Sequence, residues 1–228
     1  MSSDPDKSHV PLILFSGMGA DATVFEPQRL AFPNLTVPSW PRPEDGDDLS
    51  TYCARLAAET DPGCRCFVGG ASFGGIVALE VAQHLDARAC FLIGSVRSPK
   101  QLPPRIRTLR SLGFGLGLIP IAMLQHSAAV SAQQGRDVAG PHLTGLLRQF
   151  SSADADVLRW SARQILTWNA TYDDGVPVFH IHGDRDRVFP IRYTTADEVV
   201  PGGGHVISLT HGAAVNAFLR KHLAQFDL

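Results

Sequence analysis

The sequence predicts one α/β domain built on a doubly wound, mostly parallel sheet of six strands. Short apolar runs alternate with helix-like segments along most of the 228 residues, a pattern typical of β–α units with right-handed crossovers. The run from Pro11 to Phe15 is almost continuously apolar, as expected for a strand covered on both faces. A chain of this length with 44% hydrophobic residues can bury one sizeable core without division into two domains.

Each strand is predicted from a short apolar run bounded by turn residues. The fifth begins after Pro177, at an edge position where a strand tolerates proline. The predicted strands lie near residues 10–16, 35–39, 64–69, 89–95, 178–182 and 196–200. The predicted helices between or after them lie near 22–31, 49–60, 73–86 and 211–224. Asp48 is expected to cap the second of these helices.

The β–α alternation stops between residues 97 and 170. Three helices are predicted there, near 105–125, 142–151 and 154–168, and no strand. We therefore predict a core of residues 9–96 and 171–228 with a helical cap insertion at 97–170. Its glycine-rich apolar stretch, residues 112–121, is a poor isolated helix. Two interpretations remain open: helices packed on the body, or a mobile lid that lines an acyl or alcohol pocket with Leu112, Phe114 and Leu118.

The pentapeptide Gly70-Ala71-Ser72-Phe73-Gly74 lies between a predicted strand and a predicted apolar helix. A sharp strand-to-helix turn strains the backbone of its middle residue and presents that side chain above the sheet edge. Glycines two positions away on either side allow the close approach of the chain to itself. The N–H groups that open the helix favour developing negative charge. Taken alone, the pattern also fits a glycine-rich turn with an idle serine.

A serine nucleophile needs a base, and the base needs an orienting acid. His205 follows three glycines, which would let its imidazole reach over the sheet towards Ser72. Asp184 and Asp186 both follow the predicted fifth strand. All of these residues lie in loops just past a strand, where open α/β sheets carry their active sites.

With these segments in the order Ser72, Asp, His205, the chain resembles the α/β-hydrolase superfamily from Leu12 to about the C-terminal helix, with a divergent middle. The resemblance implies that Ser72 is the nucleophile, His205 the base and Asp186 the acid. Asp186 fits the family spacing G-x-x-D-x-x-[hydrophobic]-P, here Gly183 to Pro190. Asp184 is the alternative acid; otherwise it caps the following turn or pairs with a neighbouring arginine.

The loop Ser16-Gly17-Met18-Gly19 looks like the H-G-x-G loop of this family, with serine in place of histidine. The resemblance implies an oxyanion hole made by the backbone N–H groups of Met18 and Phe73. A well-placed donor of this kind contributes about 3–4 kcal/mol of transition-state stabilisation. The serine removes a ring that commonly braces the loop.

Three classes of function fit this arrangement. The first is a serine hydrolase that cleaves a small carboxylic ester or thioester through an acyl-enzyme intermediate. The second is a C–C bond hydrolase or cofactor-free lyase on the same three residues, both known in the superfamily. The third is a non-catalytic small-molecule receptor, which would not need nucleophile, acid and base together. Serine rather than aspartate at position 72 disfavours a haloalkane dehalogenase.

A metal-dependent alternative comes from the H-x-H-x-D spacing of His180, His182 and Asp184, which is similar to that of metallo-β-lactamase-like hydrolases. That site would also need a histidine at position 185, where this chain has Arg185, and no later cluster has metal-ligand spacing. We predict no metal and no cofactor, with His180 packed in the strand and His182 bracing the acid loop.

The charges are unevenly distributed along the chain. Residues 97–170 carry nine basic and three acidic residues, whereas the whole chain has a net charge of −2. A basic cap could steer an apolar acyl substrate with an anionic tail, with Arg105 and Arg107 as contacts. Alternatively, these charges lie on solvated helix faces, or the arginines pair with acids of the body and hold the cap shut. The near-neutral total argues against a nucleic-acid partner.

The N-terminal segment, the lengths of the apolar runs and the cysteines together predict where the protein is located. The N-terminal segment is polar and acidic, unlike a signal peptide, and no apolar run approaches the roughly 20 residues that span a bilayer. The four cysteines form no metal or redox motif and are expected to be buried thiols in a reducing compartment. We expect a cytoplasmic monomer or homodimer with no membrane partner.

Overall fold

A computed structural model describes residues 10–111, 125–126, 140–169 and 175–226. It contains one sheet of six strands in the order β2-β1-β3-β4-β5-β6, and every neighbouring pair is parallel. This confirms the predicted doubly wound α/β class. The strands are β1 Leu12–Phe15, β2 Leu35–Thr36, β3 Cys66–Ala71, β4 Ala87–Ile93, β5 Val178–Gly183 and β6 Glu198–Val200.

The helices lie near their predicted positions, with differences at their ends. The segment predicted as one helix at 22–31 is a 3₁₀ turn, Ala22–Phe25, followed by a short α-helix. Asp48 caps α2 reciprocally with Thr51, as a capping box. The described α-helices are α1 Glu26–Ala31, α2 Leu49–Thr60, α3 Phe73–Val81, α4 Pro104–Ser111, α5 Gly140–Ser152, α6 Ala155–Thr167, α7 Ile207–Thr210 and α8 Gly212–Leu223.

The sheet separates two hydrophobic clusters. Along β1, Ile13 and Phe15 pack with α2 and α3 on one face, while Leu12 and Leu14 pack with α8 on the other. Side chains of a strand alternate between the two faces of the sheet, and both faces of β1 are buried here. This double coverage is the physical reason for the uninterrupted apolar run in the sequence.

One cysteine departs from the prediction. Cys53, Cys66 and Cys90 are buried, whereas Cys64 is exposed, and all four are free thiols. The predicted strand began at residue 64, but β3 begins at Cys66. Cys64 therefore belongs to the turn that precedes the strand, where nothing covers its side chain.

The segment 97–170 lies between β4 and β5. Of its three predicted helices, the second and third correspond to α5 and α6, and Asp154 caps α6. The first corresponds to α4, and residues 112–124 lie outside the described residues. Trp168, just after α6, donates its indole N–H to buried Glu80 of α3, with 3.1 Å between Nε1 and Oε1. Within the described ranges, no helix is long and apolar enough to cross a bilayer.

Candidate active site

Ser72 lies between β3 and α3 in a strained backbone conformation. Its φ is +54°, and it is the one described non-glycine residue with a positive φ. A Cβ on Gly70 would lie 2.2 Å from the Gly74 carbonyl oxygen, and one on Gly74 would lie 2.1 Å from the Phe15 carbonyl oxygen. Neither position can accept a side chain without backbone movement. The local sequence therefore explains how the Ser72 hydroxyl is presented at the carboxyl edge of the sheet.

The strained turn is held by hydrogen bonds to the end of β4, to the loop after β4 and to the first turn of α3. The Ser72 N–H donates to the carbonyl oxygen of Ile93, at 3.2 Å. The Ser72 carbonyl accepts the hydroxyl of Ser95, at 2.7 Å, and the N–H of Gly75, at 3.0 Å. The backbone polar groups of Ser72 thus have partners, while its side chain stays available to another residue.

That other residue is His205, in the loop after β6. Its Nε2 lies 2.8 Å from Ser72 Oγ, and its Nδ1 lies 2.8 Å from Asp186 Oδ2. Gly94, with a φ of +57°, permits this approach, because a Cβ there would lie 2.8 Å from the His205 carbonyl oxygen. The Phe189 ring contacts the imidazole edge-on. The structure therefore brings the three residues predicted as nucleophile, base and acid into one hydrogen-bonded chain.

Asp186 is fully buried, and its carboxylate is saturated with donors. Oδ1 accepts the backbone N–H groups of Val188 and Phe189, at 2.7 and 2.9 Å. Burial alone would raise the pKa of the carboxyl, but hydrogen bonds from His182, His205 and the Phe189 N–H outweigh it and hold the Asp186 pKa well below its usual value. Asp186 is therefore an ionised acceptor for the His205 Nδ1–H.

The competing acid, Asp184, has a different position. It is exposed, and its Oδ1 accepts the backbone N–H of Gly202 at 2.8 Å. It thereby ties the loop after β5 to the loop that carries His205. This contact differs from both non-catalytic roles predicted for Asp184, which were capping the following turn and pairing with a neighbouring arginine.

The loop after β1 lies against the nucleophile turn, since a Cβ on Gly17 would be 3.5 Å from Ser72 Cβ. Ser16 is buried, and its hydroxyl donates to the carbonyl oxygen of Ala20 at 2.8 Å. The same hydroxyl accepts the indole N–H of Trp40 at 2.7 Å. Trp40 also stacks on Phe73, with ring centroids 5.7 Å apart. One indole therefore contacts both segments predicted to supply oxyanion donors.

Sequence reasoning missed Trp40. It noted that serine at position 16 removes a bracing ring, and the structure provides a ring from the segment between β2 and α2 instead. Ser16 is small enough to leave space for it and keeps a hydroxyl for the indole N–H. The one available indication was the substitution itself, because a lost brace implies a replacement elsewhere in the chain.

We expect Trp40→Phe to lower kcat about tenfold with little change in KM, since it keeps the aromatic stack but removes the hydrogen bond that orients Ser16. Complete loss of one oxyanion donor costs about 10²–10³ in kcat, so indirect loosening costs less. Steady-state kinetics on an activated ester measure the effect. The matched control is Trp160→Phe, because Trp160 packs on the same Phe73 ring but donates its N–H to Asp47. Equal losses in the two variants would contradict the assignment.

The residues predicted to contact the substrate do not all have the same outcome in the structure. Arg105 donates from one guanidinium nitrogen to the carbonyl oxygens of Arg187 and Val188, both at 2.9 Å. It therefore joins α4 to the loop of Asp186, which is a structural use of its charge. Arg107 is exposed on the same helix, and a contact with an anionic substrate stays a prediction there. Leu112, Phe114 and Leu118 lie outside the described residues.

Other cations of segment 97–170 form ion pairs. Arg97 pairs with Asp197 of the body, and Arg159 pairs with Asp156 one helical turn earlier. In the opposite direction, Arg42 of the body pairs with Asp154 at 2.5 Å. Two of these pairs join the segment to the body, and the pair of Arg97 with Asp197 is of the predicted kind, a segment arginine with an acid of the body.

The two histidines of the H-x-H-x-D segment are held by contacts with each other and with backbone carbonyl groups. Among the described residues, no group of three or more His, Cys, Asp or Glu side chains could hold a metal ion. His180 and His182 are instead fully buried and contact each other, with 3.0 Å between His180 Nε2 and His182 Nδ1. His182 Nε2 lies 2.7 Å from the Phe189 carbonyl oxygen, in agreement with the predicted bracing of the acid loop.

A cavity of about 290 Å³ adjoins the loop after β1. Gly19, Trp40 and Leu158 line it, together with polar groups that include Gln149. A Cβ on Gly19 would lie 2.9 Å from the Phe150 ring, so α5 and α6 cover this loop closely. A larger groove of about 710 Å³ lies between residues 42–48 and α6, and neither Ser72 nor His205 lines the groove or the smaller cavity.

Comparison with known proteins agrees with this fold. A model of the alpha/beta hydrolase family matches residues 11–218, and the chain therefore belongs to that family. It is similar to a thermophilic esterase from Thermogutta terrifontis, with a TM-score of 0.67 and 16% identity over 97% of this chain and 92% of the other. It is also similar to a carboxylesterase from Nitrososphaera gargenis, with a TM-score of 0.66 and 20% identity over 96% and 91% of the two chains.

These structural likenesses have low identity and show the fold alone. In sequence, the chain is similar to a Synechocystis protein that carries the provisional name non-heme chloroperoxidase. The two are 40% identical over 58 residues, and the match spans 21% of each chain. The chain therefore aligns with about a fifth of that relative's length.

Proposed function

We propose that this protein is a serine hydrolase that cleaves a small carboxylic ester or thioester through an acyl-enzyme intermediate. The observation that carries the proposal is the continuous chain from Ser72 Oγ through His205 to Asp186 Oδ2, with both contacts at 2.8 Å. The strained conformation of Ser72 is the second support, because strain at one position of a well-packed core is typical of functional sites.

The proposed acylation begins when Ser72 Oγ attacks the substrate carbonyl carbon. As the new C–O bond forms, the hydroxyl proton passes to His205 Nε2, and the carbonyl π electrons move to oxygen. Asp186 holds the His205 Nδ1–H, so that Nε2 is the free acceptor, and its charge stabilises the imidazolium that results. The low pKa of Asp186 supports this role, because the carboxylate stays ionised throughout.

The tetrahedral oxyanion is proposed to lie between the backbone N–H groups of Met18 and Phe73. Phe73 is the first residue of α3, and the N–H groups at the start of a helix are directed at an anion. When the intermediate collapses, His205 returns the proton to the departing alkoxide or thiolate. A water molecule then attacks the acyl-enzyme in the same way, with His205 as the base, and the carboxylic acid and free Ser72 are released.

The segment 97–170 is proposed to act as a helical cap. Phe150 of α5 and Leu158 of α6 contact the predicted oxyanion loop at Gly19, next to the 290 Å³ cavity. A cavity of that volume is at the lower end for small-molecule sites. We therefore propose a short acyl or alcohol group as its occupant.

The experiment combines covalent labelling with turnover. A fluorophosphonate is expected to add once per chain, on the peptide that contains Ser72, and p-nitrophenyl esters and acyl-CoA thioesters are to be tested as substrates. His205→Ala should abolish labelling, because Ser72 loses its base. His84→Ala is the matched control: His84 is exposed in the turn after α3, and labelling should persist. A folded protein that takes no label, or takes it elsewhere, contradicts the proposal.

A further inference from the structure

Two buried histidines lie directly behind Asp186 and have no part in the proposed reaction. His180 and His182 occupy alternate positions of β5, so their side chains share one face of the sheet. Both are fully buried. The four nitrogens of their rings make three close contacts, and these contacts determine how many protons the two rings hold.

The two outer contacts end on backbone carbonyl oxygens. His180 Nδ1 lies 3.0 Å from the Thr195 carbonyl oxygen, and His182 Nε2 lies 2.7 Å from the Phe189 carbonyl oxygen. A carbonyl oxygen only accepts hydrogen bonds, so each of these nitrogens must carry a proton. His182 Nε2 also lies 3.3 Å from Asp186 Oδ2, which is another pure acceptor.

The inner contact needs a third proton. His180 Nε2 and His182 Nδ1 are 3.0 Å apart, and two unprotonated nitrogens at that distance would repel each other. Three protons are therefore shared by two rings. A neutral imidazole holds one proton, so the pair carries one positive charge.

The surrounding charges place that positive charge on His182. Burial and the neighbouring His182 lower the pKa of His180 to about 3, so His180 is the neutral ring and accepts from His182 Nδ1. His182 faces the Asp186 carboxylate, whose other partner is His205. On the far side, Asp197 accepts the His180 backbone N–H and is itself paired with Arg97.

We propose that His182 is a buried imidazolium and that His180 holds it in that state. His182 then acts as a positioning residue for Asp186, the predicted catalytic acid. It keeps Asp186 ionised and turned towards His205. It also places a cation beside the oxygen that accepts the His205 Nδ1–H, so a second cation on His205 is less favourable.

The proton count is tested by ¹⁵N NMR of the histidine rings at pH 8, where exposed histidines are neutral. We expect one histidine with both ring nitrogens protonated, absent in His182→Gln. In His180→Phe that doubly protonated signal should also disappear, although His182 is still present, because its Nδ1 has lost its acceptor. Two singly protonated rings in the unmodified protein would overturn the proposal, and this measurement needs neither variant to fold.

The effect on catalysis rests on the proposed hydrolase function and is measured separately. In His182→Gln, the pH at which kcat/KM falls by half on the acid side should rise by about one unit, with KM little changed. The matched control is His222→Gln, which alters another buried histidine, stacked on Phe179; its acid limb should stay in place. An unshifted limb in His182→Gln overturns the positioning role. If no ester is turned over at all, the proposed function fails and the NMR proton count still decides the charge.

Discussion

Ser72→Ala is expected to reduce ester hydrolysis by about 10⁴-fold or more in kcat, to the level that the remaining groups provide without a nucleophile. The folded protein should be nearly as stable as before. Ser72 Oγ makes its hydrogen bond to the partly exposed His205, and the backbone contacts that hold the strained turn do not involve the side chain. Kinetics and thermal unfolding on the same preparation measure both quantities.

Ser95→Ala is the control variant, because its expected effect is the reverse: a loss of stability with little loss of activity. Ser95 is buried, and its hydroxyl donates to the Ser72 carbonyl, so its loss leaves that bond unmade. We expect a stability loss of about 1 kcal/mol with only a small loss of activity. Turnover that persists unchanged in Ser72→Ala, or activity that depends equally on the two serines, would contradict the nucleophile assignment.

The nucleophile turn could be predicted because its two glycines stand at a fixed spacing on either side of Ser72 in the sequence. The contacts that exclude a Cβ at Gly70 and Gly74 lie within the turn or against the adjacent strand β1. The parallel class of the sheet could likewise be predicted, because the apolar run of β1 needs cover on both faces. The role of Trp40 could not be predicted this way, because its partner Ser16 lies 24 residues earlier and residues 37–48 show no periodicity.

The end of α3 shows a second limit of prediction from the sequence. The predicted helix ran to about residue 86, and nothing between Ala82 and Asp86 is a glycine or proline. The structure ends the helix at Val81 and continues with tighter turns, such as the hydrogen bond from the His84 N–H to the Val81 carbonyl. The chain must reverse before β4 begins at Ala87, and this tertiary demand overrides helix propensity.

Charge counting failed to separate the two uses of Arg105. A net charge for segment 97–170 contains no positions, so it supports substrate steering and structural pairing equally. The distinction came only from geometry, which directs the guanidinium at the carbonyl oxygens of Arg187 and Val188. The same limit applied to Asp184 and Asp186, which are two residues apart and were separated by motif register alone.

Substitution of those two aspartates should give very different results. Asp186→Asn is expected to lower kcat by about 10⁴-fold, the size of effect known for the serine-protease triad. An amide N–H directed at His205 would leave Nδ1 as the acceptor and move the proton to Nε2, which could then no longer accept the Ser72 proton. The variant should also be less stable, because His182 loses its buried counter-charge.

Asp184→Asn keeps the same fold with a nearly identical side chain and is the matched control. Its amide oxygen can still accept the Gly202 N–H that Asp184 Oδ1 accepts now, so kcat should remain within about threefold of the unmodified enzyme. Steady-state kinetics at saturating ester, with circular dichroism to verify folding, distinguish the two variants. A large loss in Asp184→Asn with a small one in Asp186→Asn would reverse the assignment. Because Asp186 is buried and bonded to His205 while Asp184 is exposed and bonded to a backbone N–H, we expect kcat to depend on Asp186.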